Sequence, residues 1–306
     1  MKITINYGGD FFNNTIADSQ VESLKKLKNI GFEGLDYAVG RGGGVINPIY
    51  LMPREKWVNH FKEQRKMIEG EGLEVCQTHA TYRSDFDADY PFEYTQKVID
   101  HYKKEIEATN ILGCKHMVLH PITKCIMPFR EEVDVERKND DFFTNVKQIS
   151  KLKPALKEFG VKACLENMFL FSLHSRHTVD TGYSSPEDMV RYLDGLDCPE
   201  CFCACLDTGH MNVLWHDVPN AVRTLGDKLE VLHVHDNHHT DAHQCIGLGD
   251  IDWFEFVKAL KDVNYKGNFN LELIFSTIAK YGKDLAWRYI ETSYLSAKAV
   301  ISSAKE

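Results

Sequence analysis

The chain has 306 residues, of which 43% are hydrophobic and 26% are charged, and its formal net charge is -9. This composition is typical of a globular protein with a large core, and the acidic balance argues against a nucleic-acid partner, which would need clustered lysines and arginines. No apolar run approaches the ~20 residues of a membrane helix, and the first residues show no apolar signal segment, so we expect a cytoplasmic protein without a membrane partner.

Short apolar runs alternate with longer amphipathic stretches eight times along the chain. In chain order the predicted strands are KITINYG, FEGLDYAV, LEVCQTHA, KHMVLHP, VKACLEN, FCACLDTGH, LEVLHVHDN and NFNLEL. The stretches between and after them have helical periodicity, and several begin with a Ser or Asp capping residue or end in Gly. Eight strand–helix units in this length predict an α/β fold, a single (β/α)8 TIM barrel domain over residues 1–306.

A doubly wound sheet is the competing architecture, and it would need a glycine-rich phosphate turn after the first strand. The segment NYGGDFFNN is not such a turn. The glycine run at 40–45 follows the second strand without GxGxxG spacing, and it is interpreted as a mobile loop. Two long connections follow the fourth and fifth strands, so both are expected at the C-terminal mouth, where barrel active sites lie.

The nine cysteines are too many to ignore, but an odd number in a chain of this length does not indicate a disulfide scaffold. Most are expected to be reduced core residues. Cys198 and Cys201 form a CxxC pair that could bind zinc or undergo redox change, although no second CxxC completes a four-sulfur site. Cys203 and Cys205 are interpreted as small apolar residues that fill the barrel.

Six consecutive units carry a metal-competent or acid–base side chain near the C-terminal end of the strand. They are His79, His120, Glu166, Asp207 with His210, His233 with His235, and Glu272. A closed barrel brings all six ends to one mouth. Charged groups where strands are otherwise buried are costly unless they are partnered, so the series predicts one site. Mixed imidazole and carboxylate ligands suit Mn²⁺, Co²⁺, Zn²⁺ or Mg²⁺, and a divalent metal cofactor is therefore expected.

The segments CLEN, LDTGHMN, LHVHDN, DAHQCIGLGDIDW and NLEL resemble the xylose isomerase-like barrel superfamily, which includes ketose 3-epimerases, inosose dehydratase and endonuclease IV. In the ketose 3-epimerase branch, two Glu, one Asp and one His hold the metal. The resemblance places these ligands at Glu166, Asp207, His233 and Glu272. His233 is preferred because an acid, Asp236, follows three residues later, and His235 remains the alternative.

The resemblance implies a sugar or sugar-phosphate isomerase or epimerase, in which Glu166 and Glu272 transfer a proton through a metal-stabilised enediolate. A small-molecule sugar substrate, no organic cofactor and a homo-oligomer, either a dimer or a tetramer, are implied as well. One departure is His239, where the epimerases carry an arginine. The remaining mouth residues are expected to bind substrate: His79, His120, His210, His235, Asp241 and His243.

Three alternatives remain on the same barrel: a dehydratase or lyase, a binding protein without catalysis, and an endonuclease IV-like zinc nuclease. The nuclease resembles the chain at all nine of its zinc ligands, which are His79, His120, Glu166, Asp207, His210, His233, Asp241, His243 and Glu272. It is disfavoured because Thr240 and Ala242 stand where the nuclease has arginines beside the Asp-x-His pair. Five basic residues on mouth-side connections are candidates for phosphate or carboxylate contact: Arg41, Arg83, Lys124, Arg130 and Arg176.

Overall fold

Eight parallel strands form a single sheet in the computed structural model, which describes residues 1–8, 15–40, 47–81, 95–122, 135–171 and 177–303. The sheet contains every strand that the sequence predicts, which confirms the α/β barrel. Its strands are β1 Ile3–Tyr7, β2 Gly34–Ala38, β3 Glu74–His79, β4 His116–Leu119, β5 Lys162–Glu166, β8 Phe202–Asp207, β9 Leu229–His233 and β10 Phe269–Leu271, where β6 and β7 belong to a separate hairpin.

The barrel closes between β9 and β10, just beyond the end of β9. Val234 forms a parallel bridge with Leu271. The Val234 N–H donates to Asn270 O at 2.8 Å, and the Glu272 N–H donates to Val234 O at 3.0 Å. This closure fixes the two strand ends that carry His233 and Glu272 beside each other.

Helices follow the strands and cover the outside of the sheet. Side-chain caps begin several of them, including Ser19, Ser185, Asp217 and Asp252, as the sequence predicts. The α-helices are α1 Gln20–Ile30, α2 Arg54–Gly70, α3 Gln96–Ile111, α4 Val135–Ile149, α5 Lys153–Phe159, α6 Pro186–Leu196, α7 Thr208–Val213, α8 Val218–Leu225, α9 Trp253–Asp262, α10 Ser276–Ala279 and α11 Lys283–Ser303, with 3-10 turns at Pro48–Leu51, Ser150–Leu152 and Gly226–Lys228.

The sixth barrel strand ends at Asp207, where the apolar run of its segment FCACLDTGH stops, and the Asp207 carboxylate accepts the His210 N–H and starts α7. One predicted segment differs from the structure. The connection after β5 was expected to be a loop. It contains an antiparallel hairpin of β6 Phe169–Phe171 and β7 Thr178–Asp180.

The cysteines mostly behave as core residues. Cys164, Cys203 and Cys205 pack with two valines in a buried cluster, which agrees with the predicted filling of the barrel. Cys198 and Cys201 are joined in a disulfide, so the zinc-binding interpretation of this pair is wrong. The five basic residues at 41, 83, 124, 130 and 176 and positions 41–45 of the glycine run lie outside the described residues.

Candidate active site at the barrel mouth

His233 lies at the centre of the mouth and is fully buried. Its Nδ1 is 3.1 Å from Glu166 Oε1 and 3.4 Å from Glu272 Oε2, while its Nε2 is 3.0 Å from Asp36 Oδ2. The ring is therefore held by a carboxylate on one side and presents its other nitrogen to two further carboxylates.

Asp36 is a member of this site that the sequence analysis missed. It is buried on β2, and Gln77 and Asn270 donate to its Oδ2 at 3.1 and 3.3 Å. Carboxylates that hold the second nitrogen of a histidine fix its tautomer and its orientation toward a metal. A signal was present in the sequence, since Asp36 is the only charged residue in the strand segment GLDYA.

A first group flanks this centre on the side of β3 and β4. His120 Nε2 lies 3.0 Å and His79 Nε2 3.4 Å from Glu166 Oε2. His79 Nδ1 donates to the carbonyl of Ala80 at 2.8 Å, which leaves Nε2 directed at the carboxylate. The ligand atoms of His79, His120 and Glu166 all lie within 4.8 Å of one another.

A second group lies on the other side and contains His210, His235, Asp241 and His243, whose ligand atoms also lie within 4.8 Å of one another. His210 Nδ1 donates to the carbonyl of Asn167 at 2.8 Å, and His243 Nδ1 donates to that of Glu272 at 3.1 Å. The Nε2 atoms of His210 and His243 lie 3.7 and 3.2 Å from Asp241 Oδ1. The structure thus places His235 in this second group and His233 at the centre.

Asp207 connects the centre to the second group. It pairs with His233 in the register of β8 and β9, and its carboxylate lies 3.1 Å from His235 Nε2. Gly209 is required here, because a Cβ at this position would lie 1.8 Å from the ring of His235. The histidine ring occupies the space that any other side chain at position 209 would need.

The two glutamates at the centre have opposite pKa shifts. Burial acts to raise the pKa of Glu166, but the imidazoles of His233 and His120 outweigh it and hold the pKa well below its usual range. Burial raises the pKa of Glu272, and the nearby His233 and His243 only partly offset that effect. For the imidazole of His243, burial acts in the opposite direction and lowers the pKa. The hydrogen bond to Asp241 and the charge of Glu272 outweigh this effect and raise the pKa to about 10.

The donor set fits a divalent metal ion. Glu166 Oε2, Glu272 Oε2 and His235 Nδ1 are buried without a hydrogen-bond partner of good geometry among the described residues. Such atoms are costly unless a ligand satisfies them. Imidazole and carboxylate ligands suit Zn²⁺, Mn²⁺ or Co²⁺, and the anchored second nitrogens are characteristic of histidines that bind metals.

The family of xylose isomerase-like TIM barrels matches residues 24–289. The chain belongs to this family. Two relatives show the range of activities within it. D-psicose 3-epimerase of Agrobacterium fabrum is 26% identical over 152 residues, 49% of this chain and 48% of its own. The probable endonuclease 4 of Bacillus cytotoxicus is 29% identical over 214 residues, 65% of this chain and 64% of its own. The chain therefore spans about half to two thirds of the length of these relatives.

Solved structures share the fold over nearly the whole chain. A D-psicose 3-epimerase determined in the presence of D-fructose is 16% identical with a TM-score of 0.71, and the match covers 98% of this chain and 99% of that one. The IOLI protein with a bound zinc atom is also 16% identical, with a TM-score of 0.72 and 99% of each chain covered. These likenesses establish the barrel fold.

Proposed function

We propose that this protein is a divalent-metal-dependent isomerase or epimerase of a sugar or sugar phosphate. The observation that carries the proposal is a pair of carboxylates, the buried Glu166 and the largely buried Glu272, which face the same Nδ1 of His233 at 3.1 and 3.4 Å. Two carboxylates on either side of one centre are suited to remove a proton from a carbon and return it. The likeness to ketose 3-epimerases supports sugar as the substrate class.

We assign the metal to Glu166, Asp207, His233 and Glu272, with Mn²⁺, Co²⁺, Zn²⁺ or Mg²⁺ as the ion. When bound, such an ion polarises substrate oxygens and so acidifies the neighbouring C–H bond. Asp36 keeps the Nε2–H of His233 engaged, so that Nδ1 remains available as the ligand atom.

The remaining roles belong to the two glutamates and to the side chains of the two flanking groups. Glu166 and Glu272 act as base and acid at the carbon beside the carbonyl. His210 has its Nδ1 fixed by Asn167, so its Nε2 is presented to a substrate hydroxyl. The other mouth residues assigned to the binding of substrate oxygens are His79, His120, His235, Asp241 and His243.

The test uses protein stripped with a chelator and reloaded with each of the four metals. Ketoses, ketose phosphates and keto acids are incubated with it, and the products are separated by chromatography. We expect an isomer or epimer that forms only with metal and is lost in Glu272→Gln. The control is Glu230→Gln, which changes a carboxylate near the N-terminal end of β9 and should leave activity intact. A dehydrated product would favour the lyase alternative, and no product from any of these substrates would contradict the proposal.

An endonuclease IV-like zinc nuclease is the second candidate, and one observation favours it. Groups of ligand atoms flank the central histidine on both sides, as an enzyme with several zinc ions would require. Against it, gripping a duplex takes basic residues around the site, and Thr240 and Ala242 neighbour Asp241. We expect no incision of a duplex with an abasic analogue by zinc- or manganese-loaded protein at low salt. Metal-dependent cleavage beside the lesion would place the nuclease first.

A further inference from the structure

One tryptophan stands exposed beside the mouth. Trp215 is 76% exposed, whereas Trp57, Trp253 and Trp287 are all buried. It lies two residues beyond the end of α7, the short helix that Asp207 caps. Large apolar side chains at the rim of a binding site are more informative than ones scattered elsewhere, because ligand pockets are lined mainly by apolar and aromatic groups.

The indole lies flat on the ring of His239. The two ring planes differ by 12°, and the ring centroids are 3.3 Å apart. One face of the indole is therefore covered, and the exposure of the side chain comes from the other. Both residues have positive φ, 62° for Trp215 and 56° for His239, a backbone region that is unfavourable for residues with a Cβ. Strain of this kind persists where the surroundings enforce it, and it clusters at functional sites.

A single carbonyl binds the backbone of Trp215 and the ring of His239. The Trp215 backbone N–H donates to Asn212 O at 3.0 Å, and His239 Nδ1 donates to the same oxygen at 2.6 Å. The side chain of Asn212 is fixed in turn by Asn237, to which it donates at 3.0 and 2.9 Å. Asn212 lies two residues after His210, and His239 lies two residues before Asp241, so the stacked rings lie next to the second group of the site. The stack on His239 thus holds the indole beside that group.

Two carboxylates contact histidines that adjoin Trp215. Asp250 lies 2.8 Å from His238 and 3.7 Å from His239, the ring on which the indole stacks. Asp180 lies 3.5 Å from His216, the residue after Trp215, and 3.7 Å from Lys138. Both carboxylates are partly exposed, at 48% and 39%. Carboxylates only accept hydrogen bonds when ionised, so they suit a neutral ligand rich in hydroxyl donors better than an anionic one. A flat aromatic face with acceptors beside it fits the C–H face and the hydroxyl rim of a sugar ring.

We infer that Trp215 is a stacking platform for a second sugar ring, so that the site takes a ketose that carries a further glycosyl unit. The inference rests on the proposed function for the ring that enters the mouth. The platform itself is tested by binding, which does not require turnover.

The test exploits the burial of the other three tryptophans, which leaves Trp215 as the one that acrylamide quenches readily. Quenching is measured on metal-loaded protein with isomaltulose and with lactulose, each a fructose bearing a second ring, and with fructose alone. We expect the disaccharides to protect Trp215 and fructose to leave it accessible. In Trp215→Ala the affinity for the protecting disaccharide should fall about fivefold, as expected for the loss of an aromatic contact, and the affinity for fructose should not change.

Two variants complete the design. Trp215→Phe should retain part of the affinity for the disaccharide, and Phe143→Ala, which removes an exposed aromatic ring from the outer helix α4, should retain all of it. Any one of three results would overturn the inference. These are equal protection of Trp215 by fructose, protection by neither disaccharide, and an unchanged disaccharide affinity in Trp215→Ala. If the disaccharides protect Trp215 but no ketose is converted, the proposed function is wrong and the stacking platform stands. If free ketose is converted but no disaccharide protects Trp215, the platform is wrong and the proposed function stands.

Discussion

Replacement of Asp36 should weaken metal binding although this residue is not an assigned ligand. Asp36→Asn keeps the shape of the side chain and an oxygen acceptor for His233, but it removes the negative charge 3.0 Å from Nε2. Loss of such a supporting partner typically costs 10- to 100-fold in metal affinity, or roughly 1.4 to 2.7 kcal/mol. We expect Asp36→Asn to bind the metal about tenfold more weakly than the parent protein.

Asp36→Ala should cost more, because three donors lose their acceptor at once. His233, Gln77 and Asn270 all direct an N–H at Oδ2 in a buried environment. We expect about a hundredfold loss of metal affinity and a free energy of unfolding lower by roughly 2 to 3 kcal/mol.

Affinity is measured by competition with a chromophoric chelator for Zn²⁺, and thermal unfolding is followed on the same samples. The control is Asp141→Asn, which changes a buried carboxylate on α4 outside the site. Asp36→Asn protein that binds Zn²⁺ as tightly as the parent would refute the supporting role. Equal weakening by Asp141→Asn would show that the loss reflects burial of a carboxylate in general.

Other changes give distinct outcomes. Asp207→Ala should lose the metal, seen as at least a hundredfold weaker competition with the chelator; retention of parental affinity would make the ligand assignment wrong. Glu230→Gln should lower the free energy of unfolding at neutral pH by about 1 kcal/mol, because this carboxylate binds His116 and Lys162. Burial acts to raise the pKa of Glu230, but His116 and Lys162 outweigh it and hold the pKa below its usual value. The stabilisation is therefore present at neutral pH and is lost as the pH falls through the folded-state pKa. Denaturant titrations should show the difference vanish in acid, and a constant difference would contradict the ion-pair explanation.

The barrel was predictable because strand and helix periodicities alternate without interruption. The short elements that follow the strand ends could not be predicted. The apolar run of FCACLDTGH stops at Asp207, as the strand does, but the helix that begins when the Asp207 carboxylate accepts the His210 N–H was not predicted. The hairpin of Phe169–Phe171 and Thr178–Asp180 was missed because strands of three residues have too few alternations to show a period.

The candidate site was predictable as a set, since parallel strands place their C-terminal ends at one mouth. Its division into groups was not, because that depends on the direction of each side chain. His233 and His235 are two residues apart, yet one faces Glu166 and the other lies with Asp207 and His243. Asp36 was not predicted because it lies in the middle of β2, whereas the predicted site residues lie near strand ends.

Exchange of a substrate hydrogen with solvent tests the central claim of carboxylate-mediated proton transfer most directly. Metal-loaded protein is incubated in D₂O with the ketose that it converts, and the product and the recovered substrate are examined by NMR. We predict deuterium at the carbon beside the carbonyl, and none with metal-loaded Glu272→Gln. Conversion that keeps the original hydrogen at that carbon would contradict proton transfer and favour a hydride shift.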